Sequence, residues 1–92
     1  MNLTMSQLES CFNAAKSLNY RYVAVKIDVQ GYAKPEIIIN SIENYDAKIE
    51  YYKQAYDNNL ILKNNNSIRI VGFAMGDTFE NLEDELIPYY NN

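Results

Sequence analysis

The stretch Tyr20-Arg-Tyr-Val-Ala-Val-Lys-Ile-Asp-Val29 decides the fold. From Arg21 onward its residues alternate, with Val23, Val25, Ile27 and Val29 on one side and Tyr22, Ala24, Lys26 and Asp28 on the other. Four β-branched residues at a period of two specify a strand with one buried and one solvated face. No other segment is both so regular and so apolar on one side. It is therefore expected to be the central strand on which the helices pack.

Upstream, Ser6 followed three residues later by Glu9 has the form of a capping box. Leu8, Cys11, Phe12, Ala15 and Leu18 then recur at helical spacing, which predicts a first helix from about Ser6 to Leu18, stopped at Asn19. Downstream, Gln30-Gly-Tyr-Ala-Lys-Pro35 carries turn chemistry, with Gly31 free to take positive φ. Glu36-Ile-Ile-Ile-Asn40 reads as the second strand of a hairpin, and the Pro35 start suits a sheet edge.

Asn40 or Ser41 is placed to cap a second helix, with Glu43 and Asp46 in its first turns. Ile42, Tyr45, Ile49, Tyr52 and Tyr56 form its apolar stripe, ending at Asn58-Asn59. Leu60-Ile-Leu62 is a short apolar run before the loop Lys63–Ser67, and Ile68-Arg-Ile-Val-Gly-Phe-Ala74 is the third strand. Asp77 and Glu80 have the pattern of a second capping box. They open a third helix with Phe79, Leu82 and Leu86 as its stripe and Pro88 as its stop. The order is α-β-β-α-β-α. The stretch between the second and third strands is long enough for a crossover, which makes those two strands parallel to each other. The expected architecture is a single two-layer α+β domain. Its three-stranded sheet has the first strand in the centre and the first two helices on one face.

Ninety-two residues leave room for one small core, and 48% hydrophobic with 22% charged residues is a globular composition. The net charge is −4 and the eight Lys and Arg are scattered singly. Nucleic-acid binding draws on clustered positive charge, so that class of partner is not expected. The N-terminal residues carry no secretory pattern and no run approaches membrane-spanning length, which points to a cytoplasmic protein. No cofactor is expected.

The chain holds no histidine, so Ser-His and Cys-His dyads are ruled out, along with zinc, copper or iron sites built from His and Cys. The lone Cys11 lies on an apolar stripe and reads as a small hydrophobe. Gly72–Thr78 is the one Gly-containing strand-to-helix turn. It lacks the Lys-Ser/Thr ending of a P-loop, and Asp77 repels an anion there. The acidic residues Glu80, Glu83, Asp84 and Glu85 read first as a solvated helix face, and more sharply as a patch for a basic protein surface.

Nine tyrosines are the most unusual feature of the composition. Tyr45, Tyr52 and Tyr56 belong to the core stripe, with hydroxyls expected at its rim, whereas Tyr20, Tyr22, Tyr32 and Tyr51 do not. Tyrosine is enriched at binding surfaces because it adds contact area at low entropic cost. By simple alternation Arg69, Val71 and Phe73 share the outer side of the third strand, beside Tyr22 and Ala24. The candidate interface is thus Tyr20, Tyr22, Tyr32, Arg69, Val71, Phe73, Glu80, Glu83 and Asp84. Its expected occupant is a host protein or a second copy, unless the third helix covers the face. The competing class is a small-molecule binder or minimal enzyme using carboxylates and tyrosine hydroxyls beside Lys26 and Asp28.

The segments Tyr22-Val-Ala-Val-Lys-Ile, Pro35-Glu-Ile-Ile-Ile-Asn, Ala47-Lys-Ile-Glu-Tyr-Tyr-Lys-Gln-Ala-Tyr56 and Ile68-Arg-Ile-Val-Gly-Phe73 resemble small proteins carried by phages and mobile elements of low-GC Gram-positive bacteria. The resemblance spans about Leu8 to Leu86 and implies no catalytic residues. It implies a non-enzymatic accessory factor, since many small acidic phage proteins inhibit a host enzyme or defence complex, anti-CRISPR proteins among them.

Overall fold

The computed structural model describes residues 3–80 and residue 82. Glu83, Asp84, Glu85, Leu86, the Pro88 stop and the tail lie outside the described residues. The elements are α1 (Met5–Ser17), β1 (Tyr22–Val29), β2 (Glu36–Ser41), α2 (Tyr45–Ala55) and β3 (Ile68–Gly76), with a 3-10 turn at Ile42–Asn44 leading into α2. The sheet runs β2-β1-β3 with both pairings antiparallel, so β1 is central as its alternation requires. Helices α1 and α2 cover one face, and the fold is the expected two-layer α+β sandwich.

Thr4 and Gln7, two residues upstream of the expected Ser6 and Glu9, form the α1 capping box: Thr4 Oγ1 accepts the Gln7 N–H, and Gln7 Oε1 accepts the Thr4 N–H at 2.9 Å. At the other end Asn19 takes a left-handed φ of 60°. That turn lets the Tyr20 N–H reach the Ala15 carbonyl at 2.9 Å and the Asn19 N–H reach that of Lys16, satisfying carbonyls the helix leaves open. Gly31 takes the expected positive φ in the β1–β2 turn.

Neither Asn40 nor Ser41 caps α2 with its side chain, because Ser41 precedes the 3-10 turn instead. Asn40 is buried, and its Nδ2 donates to the Val23 carbonyl at 3.1 Å. The second helix ends earlier than Asn58-Asn59 suggests: Tyr56 is already extended and bridges to Leu62. Leu60, fully buried, takes a φ of 62°. A left-handed leucine is strained. Asp57 holds the turn in place, its Oδ1 accepting the N–H groups of Asn59 and Ile61.

The inner core gathers Leu8, Phe12 and Ala15 of α1 with Val23, Val25 and Ile27 of β1, Tyr45 and Tyr52 of α2, and Leu60 and Ile70. Phe12 meets Tyr45 edge-on at 5.4 Å between ring centres. The core tyrosines do not keep their hydroxyls at the rim: Tyr45 is only 2% exposed and donates to the Tyr20 carbonyl at 2.8 Å. The Tyr52 hydroxyl lies 3.5 Å from Asn40 Oδ1. Burial pushes both phenols up to about 12.

The third strand departs from simple alternation. Lys26 pairs with Gly72 but Ile27 pairs with Ile70, so Val71 is an extra residue at a β-bulge. Beyond it the sides exchange. Phe73 and Met75, opposite Val25 and Val23, join Ile68 and Ile70 on the helix side. The outer side receives Arg69 opposite Asp28, then Gly72, Ala74 and Gly76. Phe73 therefore does not stand beside Tyr22 and Ala24.

The outer face of β1 is not wet either. Ala24 is 0% exposed and Lys26 is 1% exposed. The chain turns helical again at Phe79, Glu80 and Leu82, and Leu82 is buried against Ala24, Tyr22, Ile37, Ile39 and Ala74. Small side chains on β1 and β3 make the room that Leu82 fills. Asp77 stitches this return to the sheet, its Oδ1 accepting the Arg21 N–H at 3.1 Å.

Candidate protein interface

The backbone of β3 is left half-paired along its outer edge. At the start of the strand the Ile70 N–H donates to the Leu60 carbonyl and the Leu62 N–H donates to the Ile68 carbonyl, both at 2.9 Å. Leu60–Leu62 thus serves as a short fourth strand over that half. Beyond Ile70, no hydrogen bond among the described residues reaches this edge.

The register identifies the open groups. Antiparallel neighbours turn their backbone groups to alternate sides. Arg21 gives its carbonyl to the Ile42 N–H on the β2 side, so Tyr22, Ala24 and Lys26 face β3, where they pair with Gly76, Ala74 and Gly72. The N–H and C=O groups of Phe73 and Met75 consequently point out of the sheet at the free edge, while their side chains point toward the helices.

Beside this edge runs a cleft of about 540 Å³, floored by Phe73, Ala74 and Met75 of β3 and walled by Gln7, Ser10 and Cys11 of α1, with Tyr20 at one end. None of these residues is charged. The distribution of charge on α1 explains why. Glu9 and Lys16 lean to the α2 side, where Glu9 Oε2 meets Lys53 Nζ at 3.2 Å and Lys16 Nζ meets both Asp46 oxygens at 3.0 Å. The flank toward β3 carries Gln7, Cys11, Ala14 and Leu18 at spacings of four, three and four, and Leu18 is 63% exposed. Cys11 is half-buried on this flank, and burial pushes its thiol up to about 11, so it is a poor nucleophile at neutral pH.

Of the residues nominated from sequence, Tyr20 and Phe73 meet at this cleft, and Phe73 does so from the helix side. Tyr22 is half-buried and stacks on Phe79 at 4.9 Å. Arg69 faces Asp28 with its Nε buried and unpartnered, and Val71 occupies the bulge. Tyr32 stands alone at 73% exposure on the β1–β2 turn, and Glu80 is exposed beyond β3. These residues do not form one patch. The residues that sequence reasoning missed are Gln7, Ser10, Cys11 and Met75. A second, uncharged helical stripe on α1 was the available signal for the first three.

Among the described residues Lys26 and Asp28 line neither this cleft nor the next one, and Lys26 is covered; burial lowers its ammonium pKa and Asp28 opposes that shift. A second cleft of about 290 Å³ lies between Met5, Lys53, Tyr56, Asp57, Asn58 and Lys63. Its Lys53 is engaged by Glu9 and its Asp57 by the Leu60 turn. Among the described residues no group of three His, Cys, Asp or Glu is placed to hold a metal ion, and no helix is long and apolar enough to cross a membrane. No family model, curated protein or solved structure matches the chain.

Proposed function

We propose that this protein is a non-enzymatic accessory factor that works by binding protein. The observation that carries the reading is the open edge of β3 beside an uncharged cleft. Unpaired strand groups are met by another strand, and a peptide lying between a strand edge and a helix is a recurring recognition mode. Native edges are usually blunted by charge, proline or a cover, and β2 has Pro35 and Glu36 at its start. From Val71 to Gly76 β3 has no charge and no proline. The resemblance to small phage and mobile-element proteins extends the reading to a factor acting in the cytoplasm on a host enzyme or defence complex.

The test is a pull-down from a low-GC Gram-positive lysate with the wild type beside a Gln7→Glu/Ser10→Glu variant. Repeated recovery of one protein by the wild type and its loss with the variant is the expected outcome. Equal recovery by both, or none by either from a wild type that is itself monomeric, sinks the reading.

A further inference from the structure

We infer that the open edge of β3 is a homodimer interface, on which a second copy adds its own β3 in antiparallel register. The inference rests on the protein-binding reading and names the first partner. The geometry supplies its parts. Phe73 and Met75 present their backbone groups on either side of Ala74. An antiparallel copy related by a two-fold axis at Ala74 sets Phe73 opposite the partner's Met75 and Met75 opposite the partner's Phe73. Each such pair exchanges two N–H to C=O bonds, so symmetry satisfies every open group with no new sequence requirement.

Charge does not oppose the same occupant. The chain carries −4, so two copies meeting through a typical acidic surface would repel. This surface is the exception: neither Val71–Gly76 nor the cleft wall Gln7, Ser10 and Cys11 carries a charge. It offers nothing that would select a basic or acidic partner, and nothing that would keep a like-charged copy away. The pairing turns two three-stranded sheets into one of six strands. Both α1 helices then lie on the same face with their uncharged flanks toward the axis, and the exposed Leu18 is the apolar end of that flank.

Light scattering with sizing chromatography at micromolar protein is expected to give about twice the 10.7 kDa chain mass. In hydrogen exchange, the amides of Phe73 and Met75 are expected to gain protection as concentration rises. The Gln7→Glu/Ser10→Glu variant keeps the capping box, since Glu serves there as Gln does, but sets like charges facing across the axis. It is expected to run as a folded monomer with unchanged circular dichroism. A wild type that is monomeric at millimolar concentration overturns the inference. So does a dimer that survives the two substitutions with both amides still exchanging freely. A monomer whose Phe73 and Met75 amides are protected only when host lysate is added overturns the second copy and leaves the protein-binding reading standing. A monomer whose edge is never protected removes both.

Discussion

On its inner face the sheet meets Phe12, Tyr45 and Tyr52, whose rings fill the space below the helices and whose two phenols donate within the core. On its outer face it offers the small residues Ala24, Gly72, Ala74 and Gly76, and among the described residues Leu82 closes over them beside Tyr22, Ile37 and Ile39. The same strands are thus buried once by bulk and once by its absence. Where the helices stand off the sheet, large side chains must bridge the gap. Where the chain lies close, small residues let it in.

That contrast can be broken by measurement. Phe12→Ala opens a large cavity between α1 and α2 and should cost about 4 kcal/mol in denaturant unfolding, enough to unfold much of the population of a small domain. Leu82→Ala should cost about 2 kcal/mol, because truncating a leucine removes less buried volume than truncating a phenylalanine. A Leu82 loss equal to that of Phe12 would mean that the outer face is a core of equal rank.

Raising pH tests the inner face alone. The Tyr45 and Tyr52 phenols are held up to about 12 by burial, whereas an unfolded chain releases such protons near 10. A pKa raised on folding gives stability that is complete below about pH 10 and is lost as pH climbs through 12. Each phenol contributes a slope of roughly 1.4 kcal/mol per pH unit across that window. Tyr45→Phe should reduce the alkaline slope and cost about 1 kcal/mol at neutral pH, since the Tyr20 carbonyl loses its donor. An unchanged alkaline slope in the variant would refute the assignment. The smallest effect belongs to Lys16→Ala. Its exposed ion pair with Asp46 should yield about 0.3 kcal/mol or less, a loss that shrinks further in salt.

The architecture was legible because its signals are local. Val23, Val25, Ile27 and Val29 state a period of two, Leu8, Phe12 and Ala15 state a helix, Asn19 states where that helix stops, and Gly31 states where the chain is free to take a positive φ. The third strand was legible in extent but not in phase. Ile68, Ile70, Phe73 and Met75 all face the helices, which no fixed period of two allows, and the extra residue that reconciles them is visible only against the partner strand. That one step carried Phe73 from the outer face to the cleft wall. The outer side of β3 carries Arg69, Gly72, Ala74 and Gly76 in place of the expected Val71 and Phe73, and Leu82 packs against it.

The cleft was harder to see. Its wall comes from a helix flank whose residues are merely uncharged, and its floor from backbone groups, which every residue possesses and no composition displays. Only the pairing of Ile70 with Leu60, and its end at that point, shows where those groups are left open.

Val71 has one more consequence. It is the residue of β3 for which the facing strand has no counterpart. Remove its codon and the ladder closes into regular order with every neighbour on its present side. Remove any codon between it and Gly76 instead, and the residues from the bulge to the gap must either change sides or lose their partners. Length variation in this strand is therefore tolerated at one site. Among homologues, gaps in β3 should fall at Val71.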